Sequence, residues 1–177
     1  MNIAQWIERA IVTVLFTGFS PISPGTAASA LTCVILWFVP GAMQWPGGLL
    51  IVPATFAGAW FSTRAIGVLS APRNTKFKSL RRPNPTPDDP DPVTIDEFVG
   101  QWIALLAVPH AIMGFAAAFV MFRIFDVVKP FGIDKLQSLP AGWGIMVDDV
   151  GAGFGAAVVM LIIGYFFPAL LAYNFGI

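Results

Sequence analysis

The chain is poor in charge, in histidine and in cysteine. Charged residues make up 11% of its 177 positions, against about 25% in an ordinary soluble domain. Ten basic and ten acidic side chains cancel, so no general attraction to nucleic acid is expected. A lone cysteine, Cys33, excludes an intramolecular disulfide and a multi-thiolate metal site. It lies in an apolar run and reads as a small packing residue. A lone histidine, His110, leaves no His cluster, which disfavours zinc. The first twenty residues lack a basic region followed by a clean apolar stretch, because Glu8 and Arg9 interrupt them, so no cleaved signal peptide is expected. They read instead as a short, partly amphipathic helix at a membrane surface, ended by Thr13, Thr17 and the Gly18-Phe19-Ser20-Pro21 turn.

What is abundant is apolar. Hydrophobic residues are 56% of the chain and the mean hydropathy is +0.75. So apolar a chain needs an apolar solvent, and a bilayer is the natural one. The length suits one domain, here taken as 1–177. Apolar runs cover Ala27–Met43, Leu49–Leu69, Phe98–Phe122 and Gly151–Tyr173. Arg64, near the end of the second, can snorkel to the interface. Between the second and third runs lies a basic, proline-rich stretch over 71–92. It holds Arg73, Lys76, Lys78, Arg81 and Arg82, then Asp88, Asp89 and Asp91. Such density of proline and charge predicts a mobile loop.

Hydropathy alone would give four crossings. Pro109 argues against the third, since a proline in mid-helix removes a hydrogen bond and clashes with the preceding turn. The pieces on either side are about 11–13 residues, too short for a hydrocarbon core of about 30 Å. A helical hairpin turning at Pro109-His110 would return both flanking charge clusters to one side, and His110 at its tip reads as structural. The excess of Lys and Arg in 71–92 and in 123–135 agrees, if both lie in the cytoplasm. The expected fold is therefore all-α. It is an integral membrane helical bundle with about three full crossings, a Pro109-broken hairpin and an N-terminal interfacial helix. A single kinked span is the alternative.

Four segments gather the chemistry. In Ser23-Pro24-Gly25-Thr26, followed by Ser29, backbone N–H groups at a helix start and two hydroxyls offer a phosphate cradle. The same residues also read as a helix start capped by Thr26. Asp96-Glu97 opens an apolar run, where adjacent carboxylates are costly unless a cation binds them. Arg123, Asp126 and Lys129 are spaced i, i+3, i+6, either a self-paired ladder or a phosphate clamp around a metal ligand. Asp148-Asp149 precedes the last run, amid glycines that permit close backbone approach. Asp96, Glu97, Asp126, Asp148 and Asp149 form an all-oxygen set suited to Mg²⁺.

These strings resemble the phosphatidylglycerophosphatase A family. The resemblance rests on Gly18-Phe19-Ser20-Pro21 with Pro24-Gly25-Thr26, and on Asp96-Glu97-Phe98-Val99-Gly100-Gln101-Trp102. It continues in Phe122-Arg123-Ile124-Phe125-Asp126 with Lys129-Pro130, and in Gly144-Ile145-Met146-Val147-Asp148-Asp149. They occur in family order, and Asp89 also falls where the family has an Asp. Ala28 stands where the family has Gly, and the 72–87 stretch is longer than usual. The resemblance implies a Mg²⁺-dependent lipid phosphatase of the bacterial cytoplasmic (inner) membrane, multi-pass, with its site facing the cytoplasm. It would hydrolyse phosphatidylglycerophosphate to phosphatidylglycerol and phosphate through metal-activated water. Asp96, Glu97, Asp126, Asp148 and Asp149 would hold metal, with Asp96, Glu97, Asp126 and Asp149 catalytic. Thr26, Ser29, Arg123 and Lys129 would bind phosphate. The alternative is an ion-coupled transporter with a carboxylate-lined pathway, though the acids cluster at segment ends and no internal repeat is evident.

Overall fold

The computed structural model describes residues 3–21, 23–69 and 92–171, and no strand occurs among them. Six α-helices carry the fold: α1 (Ile3–Val12), α2 (Pro24–Phe38), α3 (Ile51–Leu69), α4 (Ile95–Leu105), α5 (Ile112–Val128) and α6 (Gly142–Phe166). Short 3₁₀ segments join several of them. The expected mobile loop over 71–92 lies outside the described residues, apart from Pro92.

α2 starts where Pro24 sets the first helical φ. Its cap is Ser23, whose Oγ accepts from the Thr26 backbone N–H at 3.4 Å. This corrects the reading of Thr26 as the cap; the first helical residue lies two positions earlier, at Pro24. α2 runs away from this end to Trp37, where His110 Nε2 lies 2.9 Å from the Trp37 carbonyl and the two rings stack at 4.4 Å. His110 thus sits at the end of α2 opposite Gly25, as a packing residue.

α4 and α5 form the hairpin. α4 ends at Leu105 and α5 begins at Ile112, with Pro109 between them. The pairing is antiparallel: Gly114 lies against Pro109, Gly100 against the Phe122 ring, and Glu97 and Arg123 meet at Gly25. A single kinked span would have carried Arg123 far from Glu97. α5 is longer than expected because it continues past Phe122 to Val128.

α6 also differs from expectation. It begins at Gly142, so Asp148 and Asp149 lie two turns inside the helix rather than at its start. Its first turn docks on α3, where Gly142 N–H donates to Thr63 Oγ1 at 3.1 Å. It then crosses α4 with backbones touching: a Cβ on Gly153 would lie 2.4 Å from the Gly100 carbonyl oxygen. Only glycine allows that approach.

Burial is inverted relative to a soluble domain. Val34, Phe38, Phe56, Trp60, Ile112, Val120, Phe154, Leu161 and Phe166 are exposed, while Thr32, Ser62, Gln101 and the site carboxylates are buried. Contiguous exposed apolar surface marks an interaction surface. Among the described residues one helix, α6, is long and apolar enough to cross a membrane.

α1 presents Ile3, Trp6, Ile7 and Ile11 outward. Arg64, expected to snorkel, is exposed and pairs with Glu8 at 3.1 Å. Three residues in the left-handed region, Val14, Leu15 and Phe16, follow α1. The chain then returns so that Thr94 N–H donates to the Val12 carbonyl at 2.9 Å. Gly18 sits so close to Pro92 that a Cβ would lie 1.9 Å from its carbonyl oxygen. The N-terminal segment is therefore strapped to the entrance of α4.

Candidate metal centre

The first turn of α4 carries Asp96 and Glu97, where carboxylates favour the positive end of the helix dipole. α6 supplies Asp149, brought alongside by the close Gly100–Gly153 crossing; the Asp149 carbonyl oxygen would lie 2.6 Å from a Cβ on Gly100. One ligand oxygen from each of Asp96, Glu97 and Asp149 falls within 4.8 Å of the others. All three side chains are 0–1% exposed. Three like charges this close and this dry repel strongly unless a cation shares them. The donor set is all oxygen, the preference of a hard divalent cation such as Mg²⁺. The residues present fit the metal that the sequence suggests.

Cationic side chains border this trio. Arg123 Nη1 lies 2.7 Å from Asp126 Oδ2, one rung of the expected ladder. The second rung does not form. Lys129 adopts a left-handed backbone (φ 47°) at the end of α5 and pairs with Asp148 on α6 instead. Helical spacing did not reveal this because the helix stops at Lys129. Asp126 and Asp148 are buried in these ion pairs. The structure thus brings three of the five expected metal ligands together and sets the other two against Arg123 and Lys129.

The α2 turn closes over the same place. A Cβ on Gly25 would lie 2.2 Å from Glu97 Oε1 and 3.1 Å from Arg123 Nη1. Thr26, next to it, is exposed, and its Oγ1 accepts from Ser23 Oγ at 2.8 Å. Ser29, one turn further along α2, is fully buried. All four segments singled out in the sequence therefore converge. The arrangement can hold a divalent cation and neutralise an anionic ligand beside it.

The family model for Phosphatidylglycerophosphatase A matches residues 10–164. The chain belongs to the phosphatidylglycerophosphatase A family. An Escherichia coli protein named Phosphatidylglycerophosphatase A is 32% identical over 154 residues, covering 86% of this chain and 80% of that one. A Haemophilus influenzae protein of the same name is 46% identical over 72 residues, 40% of this chain and 44% of that one. A Bacteroides thetaiotaomicron protein is 36% identical over 170 residues, 92% of this chain and 96% of its own; its name assigns it provisionally as a phosphatidylinositol-3-phosphatase. No solved structure matches the chain. The phosphatidylglycerophosphatase A family is one of phosphatases, so the chain is an enzyme, and the transporter reading is set aside.

Proposed function

We propose that the chain hydrolyses the terminal phosphate monoester of phosphatidylglycerophosphate, giving phosphatidylglycerol and inorganic phosphate, with Mg²⁺ as cofactor. The observation that carries this is the buried Asp96–Glu97–Asp149 trio beside the Arg123–Asp126 and Lys129–Asp148 pairs. Asp96, Glu97 and Asp149 hold the cation, and Asp126 and Asp148 complete the acidic surround. Bound magnesium supplies the Lewis acidity that polarises the phosphate and acidifies water at neutral pH.

The chain's own residues position and neutralise. Arg123, with guanidinium donors beyond the one facing Asp126, takes phosphate oxygens in a fork, and Lys129 adds a point charge. Thr26 and the backbone N–H groups at the start of α2 contribute hydrogen bonds. A site carboxylate receives the proton of the attacking water. As the water oxygen bonds to phosphorus, the bond from phosphorus to the glycerol oxygen breaks, and the carboxylate passes the proton it took from the water to that departing oxygen. Charge neutralisation and alignment supply most of the rate in phosphoryl transfer.

We infer a bacterial inner-membrane topology with α2 extended by the 3₁₀ turn Pro40–Met43, α3 and α6 as the crossings, α1 in the interface and the site facing the cytoplasm. α4 has 11 residues, about 16 Å of helix, too short to span about 30 Å of hydrocarbon. The hairpin would then enter and leave on one side, covered by its neighbours. Past Asp149, α6 exposes Phe154, Val158, Leu161, Ile162, Tyr165 and Phe166, which supports a reading with this stretch in lipid and the carboxylates near the headgroup level.

The test is phosphate release by the purified chain in detergent. Asp96→Asn and Asp149→Asn should abolish Mg²⁺-dependent hydrolysis while the protein stays folded. Full activity in both would remove the metal-site assignment. Phosphatidylinositol 3-phosphate, the substrate class in the name of the Bacteroides relative, is the comparison lipid. Faster turnover of it would transfer the same chemistry to another headgroup.

A further inference from the structure

One turn inward from the carboxylates lies a second polar layer that the proposed mechanism does not use. Gln101 is fully buried, and neither its Oε1 nor its Nε2 meets a hydrogen-bond partner among the described residues. The buried Ser29 Oγ has none among them either. Buried polar side chains are nearly always bonded. A site meant only for packing would carry an apolar side chain, as do nearby Val99, Ile103 and Ala118.

The register puts these two groups at one level. Gly25 of α2 packs on Glu97 of α4. Both helices lead from there toward the Trp37–His110 contact, so they run in the same direction. Four residues on, α2 presents Ser29 and α4 presents Gln101. On α4, Glu97 and Gln101 share one face at i, i+4 spacing. A Gln amide carries two N–H donors and a carbonyl acceptor, and a Ser hydroxyl can donate to that carbonyl.

We propose that Gln101 and Ser29 form a positioning layer for the metal ligand Glu97. When the cation is bound, Gln101 Nε2 donates to the Glu97 carboxylate and Ser29 Oγ donates to Gln101 Oε1. The relay fixes the carboxylate's orientation toward the ion from the apolar side of the site. It rests on the metal reading above. Groups that orient a metal ligand in this way change metal affinity by about 10–100-fold when removed.

The test reads cation affinity directly. Full-length protein in detergent is titrated with Mn²⁺, followed by its paramagnetic resonance signal, alongside thermal unfolding without cation. Gln101→Met should weaken Mn²⁺ binding by about 10–100-fold, with the cation-free unfolding midpoint unchanged or raised, since an unbonded buried amide has gone. Ser29→Ala should weaken binding in the same direction by less. The double variant should bind no worse than Gln101→Met, because the two act in series. Unchanged affinity in Gln101→Met overturns the proposal, as does a loss matched by a fall in the cation-free midpoint, which would mark a packing role. Additive losses remove Ser29 from the relay. Absence of Mn²⁺ binding by the unaltered protein overturns the metal reading itself and this proposal with it.

Discussion

Gly25 and Glu97 meet so closely that a Cβ on residue 25 would lie 2.2 Å from Glu97 Oε1. The contact joins the start of α2 to the first turn of α4, and it makes the lack of a side chain at 25 a condition for the carboxylate's position.

Gly25→Ala should therefore disable the enzyme without unfolding it. The added methyl displaces Glu97 and crowds Arg123, and a misplacement of about 1 Å can lower turnover about 100-fold. Steady-state phosphate release and the thermal midpoint in detergent check this. Near-normal turnover would mean that Glu97 is not held where it is needed.

Gly153→Ala should act the other way, through stability. Its Cβ would meet backbone, the Gly100 carbonyl oxygen at 2.4 Å, and backbone has no rotamer to escape into. Overpacking of this kind costs about 1–3 kcal/mol. A lowered unfolding midpoint with a weakened cation response is the expected outcome; an unchanged midpoint would contradict the close crossing.

Lys129 and Asp148 form a cross-helix pair, 13% and 0% exposed. Removing one partner of a buried pair leaves the other charge uncompensated, at about 3–5 kcal/mol. Lys129→Met and Asp148→Asn should each destabilise more than the double variant does. None of the three should regain full activity if Lys129 also faces phosphate. Additive destabilisation in the double variant would argue that the two side chains do not compensate one another.

Chelation offers a fourth check. A cation held by Asp96, Glu97 and Asp149, as proposed, would bind the folded state and at about 100 times its Kd would add about 2.7 kcal/mol of stability. Chelator should stop phosphate release and lower the unfolding midpoint, and Mg²⁺ should restore both. Asp149→Asn should lose that response. A midpoint indifferent to Mg²⁺ in the unaltered protein would tell against a bound ion.

The sequence made the hairpin legible because Pro109 leaves pieces too short to cross and because the charges cluster at segment ends. It made the convergence of four segments legible through their acids and glycines. It did not show which acids gather into one cluster. Five carboxylates looked alike in one dimension, whereas Asp126 and Asp148 are set apart by their partners Arg123 and Lys129. The Lys129–Asp148 pair depends on a left-handed residue that ends α5, which spacing rules assume away. Asp148 and Asp149 seemed to stand before or at a helix start because the last apolar run follows them; the helix begins earlier, at Gly142, which docks on α3. The strap from Val12 to Thr94 is a backbone bond with no residue signature.

The glycine crossing of α4 and α6 also bears on assembly. Backbones rather than flexible side chains meet there, so Asp96, Glu97 and Asp149 are forced together as the hairpin seats against α6, whether or not an ion has arrived. Repulsion among them opposes that seating, and a divalent cation bound as proposed would relieve it. If the trio holds a cation as proposed, cation supply during assembly would be a determinant of how much of the chain reaches its native packing, separate from any part the ion plays in turnover.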